Sequence, residues 1–450
     1  MTSHQELLLF LQLIPLVTCL RFHASPFSQE PFLTVWNAPT SGCLTRHGVD
    51  LDLGAFSIVQ NQNQSFMGEN ITIFYAEKLG LYPHYSGQTV AVNGGVPQNA
   101  SLDRHLRAAS KDIHSFIPDE DFQGLAVVDW ESWRPVWDRN WDSKRVYQEA
   151  SKALVRASHS EWSPAQVESA ARAQFEEAAR KFMEETLKLG RRQRGSGLWG
   201  FYGFPNCYNA YSPKSANYTG ECPEVEKNRN NKLGWLWNAS SALYPDIYLS
   251  LELRQLHGEA LLYTQHRILE AMRAGALQAP APPPVFTYAR IVYTYTLEFL
   301  SQEHLVYTIG ESAALGSAGV VLWGDAAFSK SKATCEALRA VGQMGAQEAR
   351  RMQARFECQC FQGERCSRCV SAQTLRKAAA AAAPKRQFKG KNPPQTRIIG
   401  GSSMRLKSRD HSRLRLALIG LSLSVRWRKE ELAFVRLPWR RGHLMRASTL

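Results

Sequence analysis

The sequence lacks an apolar run that would cross a bilayer. Leu7 to Leu20 is almost unbroken hydrophobic sequence, but it falls short of the ~20 residues that a membrane helix needs. It reads instead as the core of an export signal spanning residues 1–22, although its n-region has no Lys or Arg and no A-x-A site fixes the cleavage point. Acidic residues are scarce in one place only. From Ser371 to Leu450 there are 3 Asp and Glu against 19 Lys and Arg, a net of +16. The rest holds 35 basic and 37 acidic residues, a net of −2, so the formal charge of +14 belongs to the tail. A nucleic-acid reading drawn from the overall charge therefore fails for the body. No G-x-G-x-x-G follows the first candidate strand, which argues against a dinucleotide site.

Cysteine is sparse and unevenly placed. Of nine, Cys19 lies in the export signal, and Cys43, Cys207, Cys222 and Cys335 are loosely spaced, as suits disulfides in an oxidising compartment. Cys358, Cys360, Cys366 and Cys369 form C-x-C-x5-C-x2-C, which suits a small disulfide module better than a zinc site in an exported chain. Sequons at Asn63, Asn70, Asn99, Asn217 and Asn238 favour the same secretory route.

The body alternates two periods. Strand candidates are Phe32–Trp36, Phe56–Val59, Ile71–Tyr75, Leu125–Asp129, Leu198–Phe204, Asp246–Leu249, Val285–Tyr293 and Gly319–Trp323. Helical patterns lie at Asp142–Ser158, Ser163–Leu189, His257–Arg273, Ser301–Leu315 and Ser331–Arg355, with Ser163-Pro164 a good helix start. Strand–helix units repeated over about 300 residues predict an α/β fold, a distorted TIM-like (β/α) barrel across residues 30–350. Its active site would lie at the C-terminal strand ends. There the sequence offers Trp36-Asn37, Phe74-Tyr75, Asp129-Trp130-Glu131, Tyr202, Tyr248 and Trp323-Gly324-Asp325, a recurrence of rings suited to stacking on sugars.

The stretch L-A-V-V-D-W-E-S-W-R, Leu125–Arg134, concentrates this chemistry. Four apolar residues make a buried strand, and polarity then switches on at Asp129. If the strand continued, Asp129 and Glu131 would share a face with Cα atoms roughly 6–7 Å apart. Two carboxyls that close do not both ionise cheaply, so one tends to keep its proton, as acid catalysis of a glycosidic bond requires. Two solvated acids at a strand end is the plainer alternative.

V-V-D-W-E-S-W-R-P-V-W at Val127–Trp137 resembles the active-site signature of the vertebrate and venom hyaluronidases, glycoside hydrolase family 56. L-W-G-F-Y-G-F-P at Leu198–Pro205, N-Y-T-G-E-C at Asn217–Cys222, L-G-W-L-W at Leu233–Trp237, A-L-Y-P at Ala242–Pro245 and the run from Gly310 to Asp325 are similar to further blocks of that family. R-H-G-V-D at Arg46–Asp50 and P-Q-N-A-S-L at Pro97–Leu102 are most like its lysosomal, type-1 branch. The resemblance implies hydrolysis of internal β-1,4 bonds of hyaluronan, and more weakly of chondroitin. It assigns Glu131 as the acid and then base, and the substrate's own acetamido oxygen as nucleophile. Asp129 would orient that acetamido group and stabilise the intermediate. Tyr202 and Tyr248 would hold it, Trp323 would wall the pocket, and Tyr75 and Asn37 would complete the substrate-binding set. Arg134 and Arg267 match basic groove positions, and each is equally well read as a structural ion-pair partner. The resemblance also implies disulfides Cys43–Cys335 and Cys207–Cys222. No cofactor, metal or nucleic acid is implied, and a secreted or lysosomal monomer is expected.

Departures are specific. Asn206 stands in F-P-N-C where F-P-D-C is common, and Tyr293–Leu297 lacks the acid found after the matching tyrosine. Residues 355–370 resemble only the end of an EGF-like module, and 371–450 reads as a basic tail without stable periodicity, expected to be disordered. Leu414–Val425 is apolar but interrupted by Arg415, which fits neither a bilayer span nor a GPI signal. A catalytically weak glycan-binding homologue is the alternative to an active enzyme.

Overall fold

The computed structural model describes residues 32–56, 58–87, 89–213, 217–277, 282–341 and two strands at 413–418 and 421–426. The expected export signal, the expected EGF-like segment 355–370 and most of the tail lie outside the described residues.

Two all-parallel sheets make the frame. One runs β2 (Val59–Gln60), β1 (Leu33–Asn37), β9 (Gly319–Trp323), β8 (Phe286–Ala289); the other runs β3 (Ile71–Tyr75), β6 (Leu125–Asp129), β7 (Leu198–Phe201), while β4 (His84–Ser86) and β5 (Val90–Val92) pair antiparallel apart from both. Single bridges join them on one side. Tyr202 pairs with Tyr244, Leu243 with Val285 and Asp246 with Tyr288, all parallel. The stretch 243–246 thus occupies a strand position without being a regular strand. Asp246–Leu249, expected as a strand, is reduced to these contacts because Pro245 has no N–H to give a ladder.

On the other side a side chain does the joining. The buried Asn61 amide donates to Ile71 O at 2.7 Å, and its Oδ1 accepts from Asn70 N and Ile71 N, both at 3.0 Å. Asn70 Nδ2 answers with a 2.8 Å bond to Gln60 O. The ring therefore closes through eight positions, as a barrel expects. Of the sequons, Asn63, Asn99, Asn217 and Asn238 are exposed, while Asn70 sits half-buried in this seam.

The interior follows period two. Leu33, Val35, Ile71, Ile73, Leu125, Val127, Leu198 and Val321 meet inside the ring with Tyr244, Phe286 and Tyr288. The opposite faces pack on helices: Phe74, Ala126, Val128, Trp130, Trp199 and Phe201 against the helices Leu102–Phe116 and Pro164–Gln193, and Trp36, Val320 and Leu322 on the other flank. The thirty-residue helix Pro164–Gln193 starts on a capping box between Ser163 and Gln166. Leu102–Phe116 was not expected from its sequence. Its buried stripe is His105, Ala109 and Ile113, and His105 accepts from Leu81 N while bonding Thr186 Oγ1 at 2.9 Å.

Elsewhere the expected helix Ser301–Leu315 splits. Short α turns at Gln302–Leu305 and Glu311–Ala314 flank a π turn, Val306–Gly310. Thr308 and Ser312 hydroxyls bond the carbonyls of His304 and Thr308, and such back-bonding loosens the α ladder. Both expected disulfides are formed, Cys43–Cys335 and Cys207–Cys222.

A buried polar knot fixes the loops beyond β6 and β7. Arg139 donates Nε and Nη2 to Glu226 Oε2 at 3.0 and 2.8 Å, and Nη2 to Asn230 Oδ1 at 3.0 Å. Asn230 in turn donates to Asn206 O and to Glu270 on the helix His257–Ala276. Arg139→Met strands Glu226 Oε2, while Arg229 still pairs with Oε1. The expected cost is on the order of 3 kcal/mol, the low end for a broken buried pair. Urea denaturation of the variant checks this, and a loss under ~1 kcal/mol would show that solvent relaxes into the knot.

Two strands of the tail fall in a second unit, residues 384–450. Within it, where no structure was expected, Arg413–Leu418 and Leu421–Arg426 pair antiparallel. Both stretches carry an apolar residue at every second place, a strand period in 12 residues that the basic composition obscured.

Candidate active site

Because all ring strands run parallel, their C-terminal ends share one mouth. The inward phase of each strand decides what reaches it. In β6 the phase Leu125, Val127 continues to Asp129; in β3, Ile71 and Ile73 continue to Tyr75; in β9, Val321 continues to Trp323. In β1, Leu33 and Val35 continue to Asn37. Register then sets neighbours: Tyr75 lies opposite Asp129, and Asn37 opposite Trp323. Tyr202 follows β7, its N–H bonded to Val128 O at 3.0 Å.

The rings form a continuous wall. Trp323 Nε1 donates to Tyr75 Oη at 3.1 Å, joining the two sheets across the mouth. Tyr248 stacks on Trp323 at 6.3 Å between centroids, and Tyr202 lies 6.1 Å from Tyr248, ring to ring. Arg290 was missed by sequence reasoning. Its guanidinium lies 4.9 Å from the Trp323 centroid and pairs with Asp325 at 3.3 Å. Its position just past β8 is the signal that the strand-end rule offered. Burial pushes Tyr75 up to about 12 and holds Tyr202 and Tyr248 well above their ordinary value, so the hydroxyls stay neutral donors.

The two carboxyls differ sharply. Asp129 is pushed up to about 8, first by burial and then by the charge of Glu131, with Arg134 opposing. Its Oδ1 is sealed from solvent and has no hydrogen-bond partner among the described residues; the same holds for both side-chain polar atoms of Asn37. Glu131 stands beyond the end of β6 with its side chain 58% exposed. The strand extrapolation that placed both acids on one pleat face therefore stops at Asp129.

The two arginines resolve differently. Arg134 is buried beneath Glu131, Nη2 to Oε1 3.6 Å, and donates Nη1 to Trp130 O at 3.4 Å. Arg267 donates to Asn209 Oδ1 at 3.0 Å and to the carbonyl and carboxylate of Asp246 at 2.8 and 2.6 Å. It is buried and braces the 243–246 stretch from behind, so it is an ion-pair partner and not a groove-lining cation. Asn206, at the departure from F-P-D-C, accepts from Tyr208 N at 2.9 Å. Among the described residues no group of three or more His, Cys, Asp or Glu is arranged to hold a metal, and no helix is long and apolar enough to cross a membrane.

A closed parallel barrel, with one proton-holding and one solvent-facing carboxyl at a mouth walled by stacked rings, defines a barrel-type glycoside hydrolase. The hyaluronidase model of glycoside hydrolase family 56 matches residues 22–341. The chain is 50% identical to hyaluronidase-1 of Sus scrofa over 310 residues, 69% of this chain and 71% of that one. It is 48% identical to hyaluronidase-1 of Homo sapiens over 331 residues, 74% of this chain and 75% of that one. Among solved structures, bee venom hyaluronidase in complex with a hyaluronic acid tetramer superimposes with a TM-score of 0.65 at 32% identity, over 71% of this chain and 99% of that one. The chain belongs to glycoside hydrolase family 56, the hyaluronidases.

Proposed function

We propose that the protein is an endo-β-N-acetylhexosaminidase that cuts internal β-1,4 bonds of hyaluronan, and chondroitin more weakly, by a retaining, substrate-assisted route. The observation that carries this reading is the split between a buried Asp129, its carboxyl pushed up by burial, and a solvent-facing Glu131. Glu131 protonates the leaving oxygen and then, as carboxylate, activates water. The substrate's acetamido oxygen attacks C1, so no enzyme carboxylate has to reach the anomeric carbon, and the usual separation rule for carboxyl pairs does not apply. A protonated Asp129 spares the empty site a second anion next to Glu131. As positive charge develops on the acetamido group, that cation favours the ionised form of Asp129, whose proton passes to water at the mouth, and the carboxylate then stabilises the intermediate. Tyr202, Tyr248 and Trp323 enclose the acetamido group, with Tyr75 and Asn37 completing the mouth.

Two disulfides and four exposed sequons support a secreted or lysosomal protein.

Product sizing on hyaluronan, chondroitin and hyaluronan stripped of its N-acetyl groups tests the reading. Hyaluronan should give a ladder of oligosaccharides, chondroitin a weaker one, and the stripped polymer none. Cleavage of the stripped polymer would mean that an enzyme carboxylate attacks. Binding without release of reducing ends from any of the three would leave a glycan-binding homologue.

A further inference from the structure

The main chain at Glu131 is left without a ladder. β6 ends at Asp129, and the last ring bond on this strand is from Tyr202 N to Val128 O. The carbonyls of Glu131 and Ser132 therefore need a partner from elsewhere. Both find the same one. Lys144 Nζ donates to Glu131 O, and to Ser132 O at 3.3 Å.

Lys144 is itself well anchored. It closes a 3-10 turn, Asp142–Lys144, whose N–H bonds Trp141 O at 2.9 Å, and it leads directly into the helix Arg145–Ser158. That helix packs on Pro164–Gln193, so the ammonium is held from a rigid element. Asp142 adopts a left-handed φ of 48°, which a non-glycine residue rarely takes unless its surroundings impose it. The side chain is no free surface lysine either. Burial first, then the neighbouring Arg134, pushes it down to about 8, with Glu131 opposing.

We propose that Lys144 is a positioning residue for catalysis: its ammonium clamps the peptide carbonyls of Glu131 and Ser132 and so holds the acid at a fixed height over the barrel mouth. This role rests on the reading of Glu131 as the acid. Of Glu131, Arg134 reaches only the carboxylate, at 3.6 Å, and that carboxylate is otherwise open to solvent, so the main-chain clamp fixes where the acid stands. A carboxyl displaced by a fraction of an ångström still lets polymer bind but misses the leaving oxygen.

Lys144→Ala, Glu131→Gln and the wild type are compared on hyaluronan, with kcat and KM separated, and with ethylammonium added to each. For Lys144→Ala, kcat should fall about ten- to a hundredfold while KM stays within about twofold. Ethylammonium, entering the half-buried space of the lost side chain, should restore part of that kcat and do nothing for Glu131→Gln. A Lys144→Ala kcat within about twofold of wild type overturns the clamp, as does a fall in kcat that ethylammonium does not lift. If Glu131→Gln keeps its activity, the reading of the acid has failed first, and the two failures are told apart.

Discussion

Glu131→Gln is expected to cut turnover of hyaluronan by ~10²–10⁴-fold, the contribution typical of a placed general acid–base group. Gln matches Glu in shape, but it has no proton to give to the leaving oxygen. The side chain is largely exposed and takes part in no buried network, so the fold should be unaffected. Polymer binding should persist because the ring wall of Tyr75, Tyr202, Tyr248 and Trp323 is untouched. Initial rates of reducing-end release, paired with a binding isotherm for the same variant, check both halves. Retention of a tenth or more of the wild-type rate would remove Glu131 from the acid role.

Asp129→Asn should lose turnover by a comparable factor, and gain stability. Asp129 titrates at about 8 in the folded chain, against ~3.9 for an unperturbed aspartate. Between those values the folded state holds a proton that the unfolded state releases. Stability of the wild type must therefore fall as pH rises from about 4 to about 8. Asn is neutral throughout and escapes that fall. Every tenfold gain in proton affinity on folding is worth ~1.4 kcal/mol, so the variant should exceed the wild type by on the order of a few kcal/mol near pH 8, and by little near pH 4. Thermal melts in a pH series test this directly. A difference that stays flat with pH would mean that Asp129 is not the carboxyl that keeps its proton. A site that is destabilising at rest and active in turnover is the usual trade between stability and function.

Much of the frame is legible in the sequence, for a physical reason. Ile71–Tyr75, Leu125–Asp129 and Gly319–Trp323 are buried on both faces, so each reads as a short apolar run that stops where the mouth begins. The inward phase then places Asn37, Tyr75, Asp129 and Trp323 without further information. What escapes has no local period. The 243–246 stretch and Asn61 replace ladder pairing by isolated contacts, one broken by Pro245 and the other made by a side chain. Lys144 acts on carbonyls thirteen and twelve residues earlier, through a turn whose residues W-D-S-K carry no motif. Arg267 looks like a groove cation from its charge alone; only the burial of its guanidinium against Asp246 shows otherwise. The helix Leu102–Phe116 hides because a histidine takes one place on its buried stripe.

The pairing of β1 with β9 also governs how the protein is made. β1 is flanked in the finished ring by β9 on one side, and Cys43, just after β1, is bridged to Cys335, 292 residues further on. At ~5–20 residues per second on the ribosome, roughly 15–60 s pass between the emergence of the two halves of that closure. Throughout that interval a strand edge destined for the core and a free thiol wait for partners that do not yet exist. No shorter nascent chain can assemble the mouth, since Asn37 meets Trp323 only after the last strand has been synthesised. The site is thus silent until β9 has been made, and something other than the finished barrel must shelter β1 until then.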